Sequence, residues 1–205
     1  MKKIITMTAA LLMSVATINA QEGYDDTKHE VALSYGVAST SQWLNVFETI
    51  AGVITGGKYT NEREFGPLSV EYFYHAKKWV SVGGMFVYGN NTQDIIRYDS
   101  SVDGMKQVGD VTRNYFTLMP AVKFDWLRRK HFGLYSKVAV GATMREEKMT
   151  SYDTTKDPSS SDYMLHVNWQ VSPIGIEGGG AYWRVFGEVG IGEQGIALAG
   201  LRYKF

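Results

Sequence analysis

The chain contains no cysteine among its 205 residues, only 4 prolines, and no excess of charge, with 21 basic and 21 acidic side chains. Without cysteine no disulfide can hold the fold, so stability has to come from packing and hydrogen bonding. A balanced charge argues against nucleic acid as a partner, which calls for a basic patch. Long apolar runs are missing as well. No window after residue 20 approaches the roughly 20 apolar residues that a spanning helix needs. What the chain does have is 13 Tyr, 22 Gly, 9 Phe and 5 Trp, a composition that favours strands and tight turns over helices.

The first twenty residues differ from the rest. Met1-Lys2-Lys3 is basic, Ile4 to Val15 is apolar but for Thr and Ser, and Thr17-Ile18-Asn19-Ala20 is small and polar. That three-part layout predicts a secretory signal peptide over residues 1–20, removed after Ala20, since the apolar run is too short for an anchor. The mature chain, 21–205, is then one domain. Lys2 and Lys3 leave with the signal, so 21 basic side chains become 19 against 21 acidic ones.

In the mature chain apolar residues alternate with small or polar ones. Val31-Ala-Leu33-Ser-Tyr35-Gly-Val37 does so, as do Leu68-Ser-Val70-Glu-Tyr72 and Val80-Ser-Val82-Gly-Gly84-Met-Phe86. The cleanest case is Phe116-Thr-Leu118-Met-Pro120-Ala-Val122-Lys-Phe124-Asp-Trp126. Phe132 to Ala142, Leu165 to Ser172, Trp183 to Ile191 and Gly195 to Phe205 complete the set. A period of two is the strand signature, because successive side chains leave opposite faces. This predicts eight strands. Short joins at Ala76-Lys77-Lys78, Leu127-Arg128-Arg129-Lys130 and Glu177-Gly178-Gly179-Gly180 alternate with long ones near 40–65, 90–112 and 145–162. The fourth join on the long side, Gly192-Glu193-Gln194-Gly195, is short.

Short turns at one end, long polar loops at the other and an even strand number describe an all-β, eight-stranded antiparallel up-and-down transmembrane barrel. The distribution of charge over the two faces separates it from a soluble barrel. One face carries Val, Leu, Ile, Phe, Tyr and Trp, and the other carries Glu71, His75, Lys123, Lys137, His166, Asn168, Gln170, Arg184 and Glu188. Placing those charges in a dry pocket would be costly, so the charged face is read as the interior. Trp79, Trp126, Phe132, Tyr182 and Trp183 flank the three short turns, as an interfacial aromatic girdle would. Tyr203 and Phe205 fall at the same end.

On these features the chain resembles the small eight-stranded outer-membrane barrels of the OmpA and OmpX type, over essentially all of residues 21–205. In that family a terminal aromatic preceded by alternating apolar residues is read by the barrel-assembly machinery, and Leu201, Tyr203 and Phe205 match that pattern. The resemblance implies residence in the outer membrane of a Gram-negative bacterium, in contact with its lipids.

An eight-stranded barrel is just wide enough for side chains to fill it. Glu71, Lys123, Lys137, Arg184 and Glu188, with Arg202, are therefore expected to compensate one another in the lumen. The first outer loop carries Trp43, Phe47, Ile50 and Ile54 at i, i+4, i+7 and i+11, one stripe of a short helix. Thr40 or Ser41 is its expected cap and Gly56-Gly57 its end. Asp94, Asp99, Asp103 and Asp110 lack the rhythm of a calcium loop, and no metal or cofactor is expected. Asp153-Thr154-Thr155 matches a short O-glycan acceptor pattern. No serine accompanies His166 on its strand face, where Asn168 stands instead, so the chain is not read as an enzyme. The expected role is structural, adhesive or surface-binding, with an unidentified extracellular ligand held by the outer loops. A narrow channel for small or hydrophobic solutes is the alternative, and a membrane-embedded lipid-modifying enzyme the third.

Overall fold

The computed structural model describes residues 27–43, 58–99, 104–152 and 159–205. The predicted signal segment 1–20, the loop residues Phe47, Ile50, Ile54 and Gly56-Gly57, and Asp103 and Asp153-Thr154-Thr155 lie outside the described residues. Eight strands follow in order: β1 (His29–Val37), β2 (Lys58–Lys77), β3 (Val80–Asp99), β4 (Gly104–Arg128), β5 (Phe132–Ser151), β6 (Ser160–Gly179), β7 (Trp183–Gly192) and β8 (Ala197–Lys204). Each pairs antiparallel with the next, and β1 pairs with β8 from Glu30↔Lys204 to Val37↔Ala197, closing the barrel. Closure leaves no edge strand within hydrocarbon, which has no hydrogen bonds to offer.

The period of two decides which side chains face the bore. Along β1, Glu30, Ala32 and Ser34 are buried while Val31, Leu33, Tyr35 and Val37 are exposed. On β4 and β7 the arrangement repeats: Lys123 and Glu188 are 0% and 3% exposed, whereas Leu118 and Val189 are 67% and 58% exposed. The barrel is thus apolar outside and charged inside, the solution for a sheet solvated by lipid. The bore also has an apolar layer, with Phe73, Met85, Val87, Met119, Ala121 and Ala139 in one cluster.

Strand length departs from the sequence-based expectation. β1, β7 and β8 have 9, 10 and 8 residues, but β2, β3, β5 and β6 have 20 each and β4 has 25. Most of the stretches expected to be long loops continue as ladder, for example Asn90↔Asn114, Asn91↔Arg113 and Thr92↔Thr112 between β3 and β4. They escape a periodicity argument because alternation records contact with lipid. Beyond the bilayer both faces of a sheet can be polar while the backbone ladder carries on.

The strands are also tilted. The row Leu33–Val70–Phe86–Leu118–Ala142–Val167 reaches β6 at Val167, but the same row followed from Leu33 through Leu201 and Val185 reaches β6 at Gly178. That offset is the shear that closes a tilted barrel. It places the outer halves of β2–β6 well above the end of β7, as a five-stranded extension. Position 138 lies on the lipid face near mid-height. Val138→Arg is expected to cost about 2–4 kcal/mol, and Thr150→Arg, in the outer extension, close to nothing. Denaturant titration of the refolded barrel in bilayers measures both.

Candidate functional site: the charged lumen and the outer extension

At the short-turn end, strands β1, β2, β3 and β4 bring Glu30, His75, Ser81, Lys123 and Asp125 together. Lys123 pairs with Glu30 and lies 3.6 Å from Asp125. His75 is held between Glu30, at 3.0 Å from Nε2, and Ser81, at 2.6 Å from Nδ1, and the Ser81 hydroxyl lies 3.0 Å from Asp125. A serine, a histidine and a carboxylate in sequence resemble a nucleophile with its base. Here all three are sealed within the bore, with Ser81 fully buried, and the cluster reads as charge compensation.

A second group surrounds Glu177. It accepts from Arg184 at 2.6 Å and Arg202 at 2.5 Å, and pairs with Lys204. The Arg202 guanidinium also lies 4.8 Å from the Tyr135 ring centre and 4.4 Å from that of Phe186, at the distances of a cation–π contact. Further up, Lys137 donates to Glu71 at 2.7 Å and to Glu188 at 2.8 Å, and the Tyr135 hydroxyl donates to Glu188 at 2.9 Å.

Of the residues named from sequence, the structure brings Glu71, Lys137 and Glu188 into direct contact. Lys123 and Arg184 sit in the two groups below, and Arg202 bridges the groups through Glu30, Glu71 and Glu177. Glu30, Asp125, Glu177 and Lys204 belong to the network and were not among the named residues. The sequence reading places Glu177 in a turn, whereas β6 runs on to Gly179. A register shift between Val171 and Ile174 reverses which residues face inward. Odd positions point out before it, as Val167 and Trp169 do, and Glu177 points in after it. A bulge of this kind leaves no mark in an alternation count.

The outer mouth is crossed by side chains from four parts of the wall. Glu193 and Gln194, in the short β7–β8 turn, are buried. The Glu193 carboxylate accepts from the Ser41 hydroxyl at 2.7 Å, the Ser41 amide at 3.2 Å, Thr117 at 3.3 Å and Asn168 at 2.8 Å. Gln194 reaches down to Glu71 at 2.6 Å. Residues 40–43 form a helical turn, and its cap is Ser39 rather than Thr40 or Ser41. The Ser39 amide donates to Gln42 Oε1 at 2.7 Å and the Gln42 amide to Ser39 Oγ at 3.2 Å, a reciprocal capping pair. Trp43 is exposed beside it.

The five aromatic residues flanking the short turns include Trp79, Trp126, Tyr182 and Trp183, all exposed, with Phe132 half-buried. Trp183, Tyr182 and Phe205 gather around Tyr203 at ring separations of 5.0, 6.4 and 5.7 Å. Leu201, Tyr203 and Phe205 face outward, and the Phe205 amide donates to the His29 carbonyl at 2.9 Å. A second set, Tyr35, Phe65, Tyr88 and Phe116, lies in contact at the opposite height. Directly above it the outward face turns polar, with Asn90, Asn114, Glu146 and Tyr163 joined in a hydrogen-bonded row.

Above that row stands the extension. Its inner face carries Arg113, which donates to Glu147 at 2.8 Å and to Gln93 at 2.8 Å. Asp94 pairs with Arg63 and Asp110 accepts from Tyr152. Among the described residues no cluster of His, Asp and Glu is arranged to hold a metal ion. The extension has two flanks. That of β2 is covered near Gly66, whose amide donates to the Tyr35 hydroxyl and whose carbonyl accepts from Gln42. On β6, pairing with β7 starts only at Gln170, and the Trp169 carbonyl is taken by the Glu193 amide. From Ser160 to Asn168 no described strand covers that side. Leu165 and Val167 in this segment are 74% and 77% exposed.

No protein-family model matches the chain, and no curated protein matches it in sequence. Among solved structures it is similar to two crystal structures of Ail, the attachment invasion locus protein of Yersinia pestis. The one in complex with the heparin analogue sucrose octasulfate has 14% identity and a TM-score of 0.47, over 87% of this chain and 99% of that one. The other has 13% identity and a TM-score of 0.46 over the same shares. A likeness of this degree carries no ligand across to this chain.

Removing one member of the buried Glu71–Lys137–Glu188 triad leaves charge unpaired. Lys137→Met is expected to destabilise the barrel by about 3–5 kcal/mol, and adding Glu71→Gln and Glu188→Gln to recover much of that loss. Urea unfolding of the three proteins in the same bilayer tests the pair of outcomes.

Proposed function

We propose that the protein is a barrel of a Gram-negative outer membrane that binds a partner at the cell surface through its outer extension. The termini and short turns face the periplasm in this reading, the aromatic residues beside Trp183 mark the inner interface, and Tyr35, Phe65, Tyr88 and Phe116 mark the outer one. Leu201, Tyr203 and Phe205 act as the signal read by the assembly machinery. The lumenal ion pairs compensate one another and hold the wall together. A bore filled by paired Lys123, Lys137, Arg184 and Arg202 does not favour the channel alternative.

One observation carries this reading: among the described residues, no strand pairs with the outer side of β6 from Ser160 to Asn168. Exposed strand edges in soluble zones are normally blunted by lysine, proline or a bulge, because their free N–H and C=O groups pair with other chains. Between Tyr163 and Trp169 β6 has none of these, and Tyr163, Met164, Leu165 and Val167 are exposed on it. Such an edge suits an extended segment of a partner protein, which gains main-chain hydrogen bonds from the edge and selectivity from the alternating side chains. The edge belongs to a rigid sheet that costs little to order on binding.

Leu165→Lys with Val167→Lys is expected to lower attachment of expressing cells to host-cell or matrix surfaces by about tenfold or more. Heat-modifiable gel mobility should stay that of the folded barrel. Unchanged attachment by a folded, surface-exposed double variant would remove the edge from the mechanism.

A further inference from the structure

The lipid face of the barrel has a groove of about 280 Å³ over β6 and β7, near the short-turn end. Phe132 and Ile176 form one bank and Val185 the other, and its bed passes over Gly178 and Gly187. These two glycines occupy outward positions, paired with Val185 and Ile176 respectively. Neither has a positive φ. A Cβ at Gly178 would meet nothing nearer than the His131 carbonyl at 3.8 Å, and one at Gly187 nothing nearer than the Leu198 carbonyl at 3.6 Å. Backbone geometry and crowding therefore do not require glycine at either place. The contrast is with Gly175, where a Cβ would lie 2.4 Å from the Tyr135 ring. What the missing side chains do provide is the bed of the groove.

The groove ends beside the β4–β5 turn, which carries Lys130. The β4–β5 turn packs on β6 through the His131 carbonyl, which accepts from the Gly179 amide at 2.9 Å, and His131 Nδ1 lies 3.0 Å from the Gly179 carbonyl. Lys130 and His131 are both exposed there, and Tyr182 and Trp183 stand on the other side of the groove end. An apolar channel on a lipid-facing wall, with cationic and amphipathic groups at its interfacial end, matches one occupant: an acyl chain whose phosphate headgroup sits by Lys130. We propose that the barrel holds one anionic phospholipid of the inner leaflet here, its chain over Gly178 and Gly187. This deepens the outer-membrane reading and rests on it for the leaflet.

The test is native mass spectrometry of the barrel released from nanodiscs of phosphatidylglycerol or of phosphatidylcholine. One lipid should persist through activation that strips the rest, favoured about fivefold for phosphatidylglycerol, the effect of one interfacial lysine. Gly178→Leu with Gly187→Leu should abolish the persistent lipid, and Lys130→Glu should erase the headgroup preference while leaving the adduct. Heat-modifiable mobility checks that each variant folds. Should only one glycine variant fold, it is read alone with the same expectation. Equal lipid retention by wild type and a folded glycine variant, or a second copy of the barrel in place of lipid, overturns the proposal and leaves the outer-membrane reading standing. A wild-type chain that fails to enter nanodiscs removes both.

Discussion

Hydrocarbon cannot accept or donate a hydrogen bond, and this barrel is organised around that fact. Every backbone group in the apolar band needs a partner from the sheet itself, so β1 and β8 have to meet, and they do so along eight residue pairs from Glu30↔Lys204 to Val37↔Ala197. Closure in turn forces tilt and shear. The shear then decides that β7, β8 and β1 stop near the outer interface while β2–β6 continue beyond it. That β7 pairs with β6 only from Gln170 follows from the same constraint. Where lipid ends, the requirement for a partner strand ends with it, and an edge becomes tolerable in water.

The second consequence is the filled bore. Eight strands enclose too little space for water-filled solvation of charge, so each lumenal ion has to find its counterion among its neighbours. Arg202 shows how this is done, with Glu177, Glu30 and Glu71 around the guanidinium and the rings of Tyr135 and Phe186 against its faces. Glu193 marks the upper limit of the scheme. It accepts from hydroxyls and amides of the β1–β2 connection, β4 and β6, so one carboxylate ties the mouth together. A wall made rigid by such ties gives the extension a fixed base, which is what a binding edge needs to recognise a partner without first ordering itself.

The lipid face is not uniform either. Glycines at Gly175 and Gly133 make room for lumenal groups, the Tyr135 ring and the Glu177 carboxylate, whereas Gly178 and Gly187 leave space on the outside. The same residue type thus serves inward packing at two positions and shapes the lipid-facing surface at two others.

Class, strand number and the assignment of faces were readable from residue order alone, because a wall with lipid on one side imposes strict alternation. Val189 outside and Glu188 inside are consequences of that rule. Partner identity inside the bore was not readable. Alternation says that Glu71, Lys123 and Lys137 face inward, but shear decides that Lys137 meets Glu71 while Lys123 meets Glu30. The bulge after Val171 hid Glu177, a carboxylate with three cationic partners, by reversing the parity of β6. The lengths of β2–β6 were hidden for a related reason. Outside the bilayer neither face has to be apolar, so the pattern fades although the hydrogen-bonded ladder continues. Local order therefore determined what each residue faces, and only closure of the tilted sheet decided which residues it meets and how far the strands extend beyond the membrane.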